Sequence, residues 1–74
     1  MERAIEQTLL EPEQIVESFG DPQARMYYRF YFGTVVGDKH LCAVVKLLGD
    51  DAFLLTAYLT DKIKKGVRIW PIEK

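Results

Sequence analysis

The sequence predicts a small α+β domain, with one or two N-terminal helices packed on a three- to four-stranded antiparallel sheet. Three observations carry that expectation. Residues 2–10 place Ala4, Ile5 and Leu9 on one stripe at a spacing near 3.6, with Thr8 beside it. Residues 25–60 hold blocks of aromatic and β-branched residues, the composition of strands. Short turn signals separate those blocks, at Val36-Gly-Asp-Lys39 and Gly49-Asp-Asp51.

Taken in order, the helix over residues 2–10 carries a glutamate in its first turn, which suits the helix dipole. Pro12 either stops this helix or opens a second short one over Glu13–Ser18, with Ile15, Val16 and Phe19 inward. Phe19-Gly-Asp-Pro22 reads as exit and turn. Residues 25–36 form the first strand, with Tyr27, Arg29 and Tyr31 on one face and Met26, Tyr28, Phe30 and Phe32 on the other. Gly33 is a bulge or a bend. Residues 40–48 are nearly all apolar and so predict a central strand; Lys46 is the one charge inside it. Residues 52–60 put Leu54, Thr56, Tyr58 and Thr60 on one face and Phe53, Leu55, Ala57 and Leu59 on the other. Asp61–Gly66 is a loop or a single helical turn, and Val67–Trp70 a short fourth strand closed by Pro71. Sequence neighbours joined by short hairpins pair in space, and the helices are expected to cover the face made by Phe30, Phe53 and Leu55.

Residues 1–74 make one domain. A chain this short buries only about 60% of its unfolded surface, so homodimerisation, or an upstream segment absent here, is expected to help stabilise it. Hydrophobic residues at 49% and charged residues at 28% exclude a disordered chain. No apolar run approaches the ~20 residues of a membrane span, and residues 1–7 lack a signal-peptide layout. A cytoplasmic location without membrane contact is expected. The single cysteine, Cys42, forms no internal disulfide and reads as a small buried hydrophobe. Metal motifs are lacking, and no cofactor is expected.

The net charge of −1 argues against general polyanion binding, but the charge is unevenly spread. Residues 1–21 hold six acidic side chains against Arg3; residues 22–74 hold nine Lys or Arg against five Asp or Glu. Such asymmetry marks either a nucleic-acid surface or balance within the molecule.

With both hairpins in the simplest register, the face away from the helices collects Tyr27, Arg29 and Tyr31, then Lys46, then Thr56, Tyr58 and Thr60. Lys62 and Lys64 lie just beyond. Nothing in the sequence sets an acid beside these cations, and a cation on a central strand is costly unless its charge is met. Phosphate meets it, and aromatic rings beside cations stack bases. Metal-free RNA cleavage needs a base for the ribose 2′-OH, a cation for the phosphorane and an acid for the 5′-oxygen. Arg29 and Lys46 are the candidate cations, and Tyr58 and His40 the candidate proton-transfer groups. Tyr27, Tyr31, Thr56, Thr60, Lys62 and Lys64 are the candidate substrate contacts. Each has a plainer reading. Tyr, Thr and Arg are ordinary on a solvated sheet face. His40 is also a turn histidine, Trp70 a core-closing aromatic, and the lysines a solvated charge run.

The order of pieces resembles a known group. Thr8-Leu9, Pro12, Ile15, Arg25, Tyr27-Tyr28-Arg29, Val44-Val45-Lys46, Thr56-Ala57-Tyr58, Thr60, Lys64, Gly66 and Ile69-Trp70 are similar to small bacterial and phage-associated proteins of the barnase–EndoU–colicin–RelE-like nucleases, the phage branch being called PBECR. The likeness runs from about Ile5 to Trp70. It implies a RelE/barnase-like fold and metal-independent RNA cleavage, with an antitoxin-like protein as a partner. It would centre function on Arg29, Lys46, Thr56, Tyr58 and Thr60. Related chains often carry an upstream His-Pro-Glu-like motif that is absent here; where that histidine is catalytic, this chain is inactive or a truncated start. The overall basic charge of RelE-like toxins is absent too. The alternatives are a non-catalytic dimerisation or protein-interaction domain of the same shape, and a small-ligand or nucleotide-binding domain.

Overall fold

A computed structural model describes residues 2–71. One helix, α1 (Glu2–Leu10), precedes five strands: β1 (Gln14–Ser18), β2 (Ala24–Thr34), β3 (Gly37–Leu48), β4 (Asp51–Thr60) and β5 (Gly66–Trp70). They form one antiparallel sheet in the order β4-β3-β2-β1-β5. The α+β class and the N-terminal helix on an antiparallel sheet are as expected; the strand count and the helix's position are not.

The expected second helix over Glu13–Ser18 is instead β1. Six residues offset the cost of nucleating a helix poorly. As a strand they gain ladders on both sides, with β2 and β5. Glu13, just before the strand, ties it to β2: its N–H donates to the Tyr28 carbonyl at 2.8 Å, and its carboxylate accepts from the Phe30 N–H at 2.7 Å.

The β2–β3 hairpin decides which residues share a face. Its turn is Thr34–Gly37, not residues 36–39, and Thr34 pairs with Gly37. The register then shifts, because Phe32 and Gly33 together oppose Asp38. Gly33 holds φ at +66°, a conformation that disfavours side chains with a Cβ, and its N–H donates to the Asp38 carboxylate at 2.8 Å. Below this bulge Tyr28 lies opposite Cys42 and Ala24 opposite Lys46. A one-residue slip moves every side chain to the other face. Lys46 therefore shares a face with Met26, Tyr28 and Phe30, and not with Tyr27, Arg29 and Tyr31.

The β3–β4 hairpin turns through Gly49, at φ +60°, and Asp50, which suits a two-residue loop with glycine first. A second irregularity leaves Leu55 as an extra residue in β4, since Val44 opposes Thr56 and Val45 opposes Leu54. Phe53 thereby joins Thr56, Tyr58 and Thr60, while Leu54 joins Ala57 and Leu59.

Strand β5 pairs with β1 rather than with its sequence neighbour β4. The segment 61–65 must therefore cross from one edge of the sheet to the other. In a flat sheet those edges stand roughly 19 Å apart, close to the roughly 20 Å that six Cα steps can reach, so the segment is a taut strap. It is a loop, not a helical turn. Ile63 of the strap packs on the core cluster of Val16, Met26, Tyr28 and Cys42, and the Lys64 N–H donates to the Tyr28 hydroxyl at 3.0 Å.

Helix α1 lies on the opposite face, over β2 and β3. It covers the side of Tyr31 and Leu41, not the expected side of Phe30 and Phe53. The Tyr31 hydroxyl donates to the Ala4 carbonyl at 2.9 Å, and the fully buried Thr8 hydroxyl donates to the same oxygen at 2.7 Å. The two hydroxyls also stand 3.0 Å apart, so two protons serve three contacts.

Candidate nucleic-acid interface

The ten candidate side chains divide between the two faces of the sheet. On the strap face, β3 presents His40 and Lys46 with Cys42 and Val44 between them. Strand β4 presents Thr56, Tyr58 and Thr60, opposite Val44, Cys42 and His40 in turn. Lys62 and Lys64 are exposed on the strap itself. On the helix face lie Tyr27, Arg29 and Tyr31.

The expected convergence of Arg29, Lys46 and Tyr58 on one anion is thus corrected. Arg29 points to the helix side, where its Nη1 donates to the Glu11 carbonyl at 2.6 Å. The Tyr31 hydroxyl is engaged with the Ala4 carbonyl and Thr8 under α1. The bulge at Gly33 sets Arg29 on the face opposite Lys46 and Tyr58, because it reverses the faces that the simplest hairpin would pair.

Lys46 also has an acid partner, against expectation. Its ammonium forms an ion pair with the carboxylate of Asp21, in the turn leading into β2. That carboxylate accepts from the Gln23 N–H at 3.0 Å as well. The Lys46 ammonium and then the Gln23 N–H hold Asp21 below the usual carboxylate range. Asp21 stands 25 positions before Lys46 and becomes its neighbour only because Ala24 opposes Lys46.

His40, Tyr58, Thr60 and the strap lie close together. Cys42 stands between Tyr28 and Tyr58 in one row across three strands. Its thiol is fully buried, and burial pushes its pKa up. The hydrogen bond with that thiol, followed by burial, raises Tyr58 to about 12. Burial raises Tyr28 as well. At neutral pH Tyr58 is a phenol that donates or releases a proton; it is not a base. His40, the chain's single histidine, packs edge-on against Phe30 at a ring separation of 4.9 Å. It is half-buried and sits one row from Tyr58. Lys46, six residues along β3, stands roughly 20 Å from His40, too far for one phosphate to touch both.

The helix face holds a separate open cleft of about 590 Å³. Ile15 pairs with both Tyr27 and Trp70, so the two aromatic residues flank it in one row, with Arg29 at the next. Trp70 is half-exposed on the rim rather than closing a core. Sequence reading missed this grouping because it requires knowing that β5 returns to β1.

Among the described residues no group of three or more His, Cys, Asp or Glu side chains is placed to hold a metal ion. No helix among them is long and apolar enough to cross a membrane. No family model, curated protein or solved structure matches the chain.

Proposed function

We propose that this chain is a RelE/barnase-like, toxin-type RNA-contacting domain that lays a single strand along the strap face and cleaves it without a metal ion. The observation that supports this most is the grouping of His40, Tyr58 and Thr60 beside the exposed Lys62 and Lys64. In the proposed reaction His40 takes the proton from a ribose 2′-OH. The 2′-oxygen attacks the adjacent phosphorus while the P–O5′ bond breaks, and Tyr58 donates its proton to the leaving 5′-oxygen. The products are a 2′,3′-cyclic phosphate and a 5′-hydroxyl. Lys64 supplies the positive charge that the phosphorane needs. Arg29 has no part in this step, and Lys46 serves a different phosphate along the strand.

The test is incubation of the full chain with a fluorescent single-stranded RNA in excess chelator. Cleavage to a cyclic phosphate, abolished by His40→Gln and Tyr58→Phe but retained by Arg29→Ala, is the expected result. Binding without cleavage leaves an RNA-contacting domain and removes the catalytic roles. Absence of both binding and cleavage overturns the proposal. The non-catalytic alternative draws support from the exposed apolar side chains of β4, Phe53, Leu54 and Leu55.

A further inference from the structure

Strand β4 is one edge of the sheet, paired on one side only, with β3. It runs for ten residues. Natural edges are kept short, or protected by charge, proline or a bulge, because their unpaired backbone groups template pairing with another chain; of these devices β4 has the bulge at Leu55. Between Asp51 and Asp61 this edge has neither a charged residue nor a proline. Phe53, Leu54 and Leu55 are 49%, 49% and 60% exposed. The opposite edge, β5, has five residues and carries Arg68.

Charge along β4 selects both partner and direction. Asp50 precedes the strand, Asp51 opens it, and Lys62 follows it. Asp61, beside Lys62, is already paired with Lys39 of its own chain. A parallel pair of two such strands would set acid against acid. An antiparallel pair brings Asp50 and Asp51 of each copy beside Lys62 of the other, the arrangement that opposite charges stabilise.

We propose that β4 pairs antiparallel with β4 of a second copy, about a two-fold axis perpendicular to the sheet, to form one continuous sheet through both protomers. Self-complementary two-fold interfaces are the commonest route to homodimers. A two-fold of that orientation keeps the strap face on the same side in both copies. Thr56 and Tyr58 of each protomer then lie together at the centre of one surface, between the two straps. The dimer stands on the edge strand alone; its consequence, a doubled RNA track, rests on the function proposed above.

Sedimentation velocity across a dilution series tests the dimer. Wild-type chain is expected to pass from dimer to monomer on dilution. Leu54→Lys and Leu55→Lys, each at an exposed position, are expected to remain monomeric with an unchanged circular-dichroism spectrum. Asp50→Lys with Asp51→Lys is expected to weaken association, and adding Lys62→Asp to restore it. Val67→Lys, on the opposite edge, is expected to leave association unaltered. A wild type that is monomeric throughout, or a Val67→Lys variant that alone abolishes association, overturns the proposal. So does failure of the charge swap to restore pairing. RNA is a separate readout: the monomeric variants are expected to keep wild-type affinity for a short RNA and lose it for one long enough to span both copies. Loss of short-RNA binding in wild type would end the RNA reading and leave the dimer untouched.

Discussion

Lys46, on a central strand, is ion-paired with Asp21, in a turn that precedes the whole β2–β3 hairpin. The pair closes the lower end of that hairpin, where the Leu47 N–H also donates to the Gln23 carbonyl at 2.8 Å. It neutralises the cation that the sequence leaves apparently unmet.

Replacing Asp21 separates structure from binding. Its folded-state pKa is depressed, so its contribution to stability is present above the ordinary carboxylate pKa, about 3.9, and is lost as pH falls through the lower folded value. Thermal melts in acid are expected to show wild type losing more stability than Asp21→Asn as pH drops below about 4. At neutral pH the same variant frees the Lys46 charge, and RNA affinity measured by fluorescence anisotropy is expected to rise, with a salt slope steeper by about one. An unchanged slope would remove Lys46 from the RNA track.

Tyr31→Phe tests the helix anchor. It deletes the donor to the Ala4 carbonyl and takes a partner from the buried Thr8 hydroxyl. Urea denaturation is expected to report a loss of about 1–2 kcal/mol, with RNA affinity unchanged. A fall in affinity without loss of stability would return Tyr31 to the binding surface.

Gly66 and Gly20 form a matched pair. A Cβ on Gly66 would meet the Glu17 carbonyl oxygen at 2.3 Å and Val16 Cγ1 at 2.6 Å; one on Gly20 meets nothing within 4 Å. Gly66→Ala forces β5 away from β1 and is expected to cost about 1–3 kcal/mol or more, as overpacking does. Gly20→Ala is expected to stay within about 0.5 kcal/mol of wild type. Comparable melting temperatures for the two variants would show that β5 is not held as described.

Cys42 gives a chemical reading of the core. Its thiol is fully buried and its pKa raised, so little reactive thiolate is present. Iodoacetamide at mildly alkaline pH is expected to leave the folded chain unmodified by mass spectrometry and to alkylate it fully in urea. Rapid labelling without denaturant would show that the strap opens over Cys42.

Much of the sheet was legible because its strands carry strong local signals. The apolar run around Leu41–Leu48 could only be central, and the alternation of Tyr27, Arg29 and Tyr31 against Met26, Tyr28 and Phe30 held. Two features escaped for different reasons. The β1 segment is short and follows a proline, so its local signal suggests a helix stop or a second short helix, and only its partners in β2 and β5 make it a strand. The sharing of faces depended on the turn at Thr34–Gly37 together with the bulge, one of the two readings Gly33 offers, and periodicity does not report their combined register. Its effect was large: Arg29 and Lys46, read as neighbours, lie on opposite sides. The Asp21–Lys46 pair and the Trp70–Ile15–Tyr27 row were hidden too, since both arise from contacts distant in sequence.

Strand β1 sits inside the sheet, yet its two neighbours are made at very different times. Strand β2 follows within a few residues, whereas Ile15 waits for Trp70. On the ribosome the nascent chain therefore carries a half-finished interior strand until residues 66–70 emerge, and that exposed rim competes for any passing strand. Chaperone dependence, and losses to aggregation during rapid synthesis, should centre on that interval rather than on the early hairpins.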